Sequence, residues 1–286
     1  GEALAVGSSA HKVGGHQRSV GVLANSQSVV RPLERLVASA AGMLGAGAYL
    51  HHYDRHGVGR EVFDEALATA RTMLEENVRR DRNRASVILW SVGNETPVGE
   101  QRNAFLRRLI ADVRRLDDTR LVTAALLTEF REQDGELLTR ITDPLTADLD
   151  VMAVNAYNGW YSDDPLADLP ALRWTSAYDK PLIFSELGAG AKAGYHDPAG
   201  THKFSEEFQA EYYRQTLKMA EKVPHLRGMS PWILKDFRSP RRQHPVYQQG
   251  WNRKGLESET GQRKQAFSVL ADQYRRWTEA PPDPAE

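Results

Sequence analysis

The chain has 286 residues, 41% hydrophobic and 26% charged, with a formal net charge of -1 and no cysteine. It is long enough for one large α/β domain or two small ones, and its near-neutral balance excludes the global basic field that draws nucleic acid or membrane surfaces. Without cysteine there is no disulfide framework, thiolate nucleophile or Cys-ligated zinc, and no stretch approaches the roughly 20 apolar residues of a membrane span.

Residues 1–60 show no sustained period of 2 or 3.6 and stay unassigned. From 61, Phe63, Leu67, Ala70, Leu74 and Val78 fall on one helical face, and "RRDRNR" closes that helix. Val87, Ile88, Leu89 and Trp90 then form an apolar run with no polar alternation, the signature of a strand covered on both faces. It leads into Gly93, Asn94 and Glu95. The pattern repeats: Phe105, Leu109, Val113 and Leu116 mark a helix, "DDT" a turn and "RLVTAALL" a strand. Further strands are expected at "LDVMAVNAY" (149–157), "KPLIFSELG" (180–188) and "LRGMSPWILKDF" (226–237). Ser205 is positioned to cap a helix carrying Phe208, Tyr212 and Met219, and a last helix is expected near "KQAFSVLADQYRRW". The Pro-rich, acidic end, 279–286, reads as a disordered tail. Five strands alternating with helices predict an α/β fold with a parallel sheet, and a TIM-type β/α barrel over 61–278 is favoured over an open doubly wound sheet.

Two strands end in a carboxylate, Glu95 after "WSVGN" and Glu186 after "PLIFS". In a barrel both project from the same end, where catalytic groups collect. Two carboxyl groups over a sugar ring are what glycoside cleavage needs: one protonates the leaving oxygen, the other attacks the anomeric carbon or activates water.

Taken in order, "RRDRNRASVILWSVGNE", "NAYNGWY", "KPLIFSELGAG", "SPWILKDF" and "WNRKGL" resemble the catalytic barrel of glycoside hydrolase family two, the β-galactosidase and β-glucuronidase family. The resemblance implies that Glu95 is the general acid/base and Glu186 the nucleophile of a retaining cycle, with carboxyl groups about 5 to 5.5 Å apart. It also implies that Asn94 contacts the sugar 2-hydroxyl and that Tyr157 lies close to the nucleophile. Asn252 and Lys254 resemble the pair that grips a uronic-acid carboxylate in the β-glucuronidase branch. Read from the residues alone, an Asn and a Lys in a polar turn are as readily solvated. Trp160 and Trp232 either line a sugar platform or pack the barrel, with Trp232 the better placed. The implied substrate is a β-glycoside, with a β-D-glucuronide favoured, and the implied enzyme uses no cofactor and no metal; a β-galactosidase-type enzyme for neutral sugars, and an inactive sugar-binding remnant, stay open.

Other motifs point elsewhere. "GAGAKA" (188–193) fits a dinucleotide fingerprint, but Gly194, Pro198 and Gly200 interrupt the helix that should follow. His51, His52 and His56 lie close in sequence without a known metal-ligand spacing. The basic run "RSPRRQH" (238–244) reads as a solvated loop or as an attractor of anionic sugar. The first barrel strands, and the Arg and His-Tyr elements that the family supplies with them, are not recognisable before residue 61. A barrel incomplete at its N-terminal end is therefore expected, with edges that a homo-oligomer could cover. A start at Gly1 instead of Met suggests a fragment or processed product. Cytoplasmic residence is the expectation for its location.

Overall fold

The computed structural model describes residues 60–133, 136–162 and 164–279, with two short segments before them. It divides into two units, Gly1–Ala70 and Arg71–Glu286. In the first, β1 (Val6–Gly7) pairs antiparallel with β2 (Gly21–Val22), a pairing that the sequence pattern does not announce. Helix α1 (Arg60–Asp81) crosses the boundary. His51, His52, His56 and the end of the tail lie outside the described residues.

The second unit runs β3 (Leu89–Asn94), α2 (Glu100–Leu116), β4 (Leu121–Leu126), β5 (Glu129–Gln133), β6 (Glu136–Ile141), β7 (Val151–Asn155), β8 (Arg173–Ser176), β9 (Leu182–Leu187), α3 (Glu206–Ala220), β10 (Leu226–Pro231), β11 (Phe237–Arg238), β12 (Trp251–Asn252) and α4 (Gln265–Glu279). Five strands form one parallel sheet in the order β10-β9-β7-β4-β3. A doubly wound sheet reverses its order at a switch point. Here each strand lies beside the previous one of the sheet, so the chain winds one way throughout, as in an arc of a β/α barrel. Val122, Val154 and Phe184 are fully buried in it, as continuous apolar runs require when both faces are covered.

The elements follow local chemistry. Helix α2 buries Leu106, Leu109, Ile110, Val113 and Leu116 on one face, while Glu100 in its first turn and Arg114 and Arg115 in its last complement its dipole. Ser205 caps α3 as expected, its Oγ accepting from Phe208 N at 3.1 Å. No helix among the described residues is long and apolar enough to cross a membrane.

Three expectations need correction. The run 87–90 is not a strand covered on both faces: β3 begins at Leu89, and Ile88 before it is 75% exposed. The alternation of strand and helix fails between β4 and β9: the connections there are short 3-10 helices, Pro144–Asp148 and Leu166–Ala171, and a second sheet of order β5-β6-β8. The segment 226–237 is not one strand. At Pro231 the ladder loses a donor, and the following backbone bonds elsewhere: Ile233 N donates to Lys254 O, and Asp236 N to Glu257 O.

The base of β3 is fixed by a buried carboxylate. Asp117 accepts from Trp90 Nε1 (2.9 Å), Thr119 N (3.0 Å), Thr119 Oγ1 (2.6 Å) and Arg120 Nη1 (2.8 Å). Burial alone would raise its pKa, but the donors from Thr119, Trp90 and Arg120 outweigh it and hold the carboxyl well below the usual range. A depressed native pKa gives stability that is fully present above the unfolded value, about 3.9, and is lost as pH falls through the native value. Between about pH 5 and pH 2 the urea midpoint of the wild type should therefore fall more steeply than that of Asp117→Asn, which starts lower at neutral pH.

Candidate active site

Register shifts fall near the carboxyl ends of the strands: between Ser91 and Asn94 on β3, between Val154 and Asn155 on β7, and between Met229 and Pro231 on β10. Such irregularities re-aim side chains beside functional sites. They are where Asn94, Glu95, Asn155 and Trp232 lie. Glu95 has φ 51, an uncommon left-handed conformation for a residue with a side chain, and its N–H donates to Ala125 O at 2.8 Å. The next residue is anchored too: Arg102 Nε donates to Thr96 Oγ1 at 2.8 Å, and its Nη1 and Nη2 make a bidentate pair with Asp143, both at 2.8 Å. Both side chains of that pair are buried.

On the other side, Glu186 on β9 is 1% exposed and pairs in register with Asn155 on β7. Tyr157 OH donates to Glu186 Oε2 at 2.7 Å. The same tyrosine ring faces the Lys254 ammonium, 5.0 Å from its centroid, and Trp160 and Tyr161 complete the aromatic wall at 5.6 and 4.6 Å. Lys254 Nζ also donates to Tyr161 OH at 2.6 Å, and Arg242 Nη2 donates to the same oxygen at 3.2 Å. Burial pushes the Tyr161 hydroxyl up, yet Lys254 and Arg242 together hold it below the ordinary tyrosine range. An oxygen flanked by two cations marks a position where negative charge is favoured.

The Asn252 to Lys254 turn is held from beneath. Asn252 Oδ1 accepts from Lys254 N at 3.1 Å, so its amide donors are what it can offer a ligand. Asp236 Oδ1 accepts from Gly255 N and from Lys264 Nζ, both at 2.8 Å, and Asp236 Oδ2 accepts from Arg253 Nη1 at 3.2 Å. Gly255 is obligatory: a Cβ there would lie 2.3 Å from Asp236 N and Glu257 O. Gly188, which the dinucleotide fingerprint would have used for phosphate, is instead where β9 meets the next strand's exit; a Cβ would stand 2.4 Å from Trp232 O. No helix begins inside that motif.

The structure thus gathers Glu95 with Asn94, and Glu186 with Tyr157 and Lys254, at the carboxyl ends of β3, β7 and β9. Trp232 is buried beside them, its N–H donating to Leu187 O at 2.7 Å, one residue past Glu186. Trp160 is buried in the core as well as facing Lys254. Within the basic run, Arg238 stacks 4.5 Å over Trp251 and Arg242 reaches Tyr161. Sequence reasoning passed over Asn155, Ser185, Tyr161 and Arg242. Asn155 had the better signal: a polar residue ending the apolar run Val151–Val154 is the same pattern that singled out Glu95. Among the described residues, no group of three His, Cys, Asp or Glu side chains is placed to hold a metal ion.

The family model described as "Glycosyl hydrolases family 2, TIM barrel domain" matches residues 51–275. The chain is 34% identical over 217 residues to a β-glucuronidase of Rattus norvegicus, covering 71% of this chain and 31% of that protein. It is 32% identical over 212 residues to one from Sus scrofa, with 71% and 30% covered. The solved β-D-glucuronidase of Dictyoglomus thermophilum superposes with a TM-score of 0.61 at 27% identity, over 76% of this chain and 36% of that one. The chain spans about a third of the length of the relatives it matches.

The anchoring of Thr96 is testable through stability. Asp143→Ala leaves the Arg102 guanidinium buried and unpaired, which should cost about 3 to 5 kcal/mol in urea unfolding. Replacing both partners with apolar residues of similar volume should recover most of that loss.

Proposed function

The chain belongs to glycosyl hydrolase family 2, and on that premise we propose that it is a retaining β-glycoside hydrolase acting on β-D-glucuronides. Glu186 attacks the anomeric carbon as Glu95 gives its proton to the glycosidic oxygen; the carbon–oxygen bond breaks and the aglycone leaves as an alcohol. A water molecule then attacks the same carbon, Glu95 takes its proton, and Glu186 is released as carboxylate. Carboxyl groups about 5 to 5.5 Å apart are the geometry that this double displacement needs.

The observation that carries the reading is Tyr157. Its hydroxyl holds Glu186 while its ring lies against Lys254, so the nucleophile and a buried cation are separated by one aromatic side chain. A pyranose with its anomeric carbon at Glu186 directs a C5 substituent away from that carbon, toward such a cation. A sugar carboxylate gives Lys254 the anion its site favours, and Asn252 adds an amide donor. The names of the relatives support the same sugar. Asn94, beside Glu95, is assigned the 2-hydroxyl, and Trp232 a wall of the sugar pocket.

Three variants test it. Glu186→Ala should abolish turnover of every substrate. Glu95→Ala should slow nitrophenyl glucuronides with good leaving groups least, and added azide should yield a β-glucuronyl azide; an unaffected rate in either variant removes the assignment. Lys254→Ala breaks the charged clamp, at a cost of about 3 to 5 kcal/mol. The kcat/KM ratio of β-glucuronide over β-glucoside should fall by about two to three orders of magnitude. Equal losses on both sugars would make Lys254 a support for the fold. A wild type that prefers β-galactoside would place the chain in the neutral-sugar branch, and one that cleaves nothing would make it a remnant.

A further inference from the structure

Asn155 stands between the two carboxylates. From the end of β7 its Nδ2 donates to Glu95 Oε1 at 2.8 Å and to Asn94 Oδ1 at 3.1 Å. Its own Oδ1 accepts from Ser185 Oγ at 2.8 Å, and Ser185 immediately precedes Glu186 on β9. A link of side chains therefore runs from β9 through β7 to β3, across β4. That strand contributes Ala124 and Ala125, whose small side chains suit such a crossing.

The orientation of the amide is determined by what surrounds it. Glu95 Oε1 and Asn94 Oδ1 are both acceptors, so only the NH2 group can face them, and both of its hydrogens are used. Turning the amide over would set its carbonyl against two oxygens and its donors against Ser185. The consequence for Glu95 is chemical. In a neutral carboxyl group the oxygen that receives an N–H is favoured as the carbonyl oxygen, and the proton resides on the other. The consequence for Asn94 is parallel: with its carbonyl engaged by Asn155, its amide donors are what it can turn to a sugar hydroxyl.

We propose that Asn155, oriented by Ser185, is a positioning residue that directs the catalytic proton of Glu95 to Oε2. This rests on the reading of Glu95 as the acid/base. In the first step the proton leaves Oε2 for the glycosidic oxygen as Glu186 bonds to the anomeric carbon. In the second, the same oxygen takes the proton of water. Without Asn155 that preference for Oε2 is lost.

The test compares leaving groups in the full-length enzyme. With phenyl β-glucuronide, whose leaving group needs protonation, Asn155→Ala should lower kcat/KM by about 100-fold, within the range that general acid catalysis supplies. With 2,4-dinitrophenyl β-glucuronide, whose leaving group needs none, the loss should stay below about 5-fold. The phenyl loss should appear mainly in kcat, because the interaction acts on the transition state more than on binding. Ser185→Ala should show the same split at smaller size, and Ser185→Thr, which keeps the hydroxyl, should restore it. Equal losses on both substrates, or no rescue by threonine, would overturn the proposal. Glu95→Ala is measured alongside. If it lacks the leaving-group split, or if the wild type turns over neither substrate, the proposed function fails and this inference with it. If Glu95→Ala shows the split and Asn155→Ala does not, only the positioning role is lost.

Discussion

The candidate site depends on one buried ion pair. Lys264 and Asp236 have fully buried side chains, and taking each charge out of water costs several kcal/mol. Burial accordingly pushes Asp236 above and Lys264 below their ordinary pKa values. What offsets this is saturation: the ammonium's three donors meet three acceptors, Ala191 O, Asp236 Oδ1 and Arg253 O. Those acceptors come from three stretches that are far apart in sequence. Ala191 follows β9, Asp236 follows β10, and Arg253 sits between Asn252 and Lys254. Lys264 itself precedes α4. The ion pair therefore holds the turn from Asn252 to Lys254 at a fixed height over the strand that bears Glu186.

The other half of the site is held by a second buried pair. Glu95 leaves β3 in a left-handed conformation, and its neighbour Thr96 is tied through Arg102 to Asp143. Asp143 also caps the short helix ahead of β7, accepting from Leu145 N at 2.9 Å. The Glu95 side and the Glu186 side thus each have a buried cation–carboxylate support, and β7 lies between them. Tyr212 joins β7 to β9 from α3: its hydroxyl donates to Ala156 O and accepts from Gly188 N, both at 3.1 Å.

The central strands β4, β7 and β9 were legible because burial on both faces writes itself as apolar runs, whereas the edge strands β3 and β10 are only partly covered and their runs overstated the burial. The helical faces of α2 and α3 were readable for the same reason, as was the Ser205 cap. What was not legible depends on contacts between distant segments. The sheet of β5, β6 and β8 arises from pairings without a strong apolar pattern, such as Arg173 opposite Leu138. The break after Pro231 follows from backbone bonds to Lys254–Glu257, which no local pattern of 226–237 reveals. Asn155 and Tyr161 sat inside a quoted motif, but their partners lie 60 and 93 residues away in sequence. Arg242 looked like part of a solvated basic run because charge runs usually are.

Tyr157 has an evolutionary consequence. Its hydroxyl donates to Glu186 and its ring lies against Lys254, the two residues to which chemistry and sugar recognition are assigned in the proposal. Changes at those two positions are therefore not independent, since residues that share a contact give non-additive effects. On the proposed role of Lys254, a lineage that changed this residue to accept another sugar would disturb the setting of Glu186 on the way. Second substitutions around Tyr157 would have to accompany the change, so neutral drift in specificity is a narrow path for this barrel.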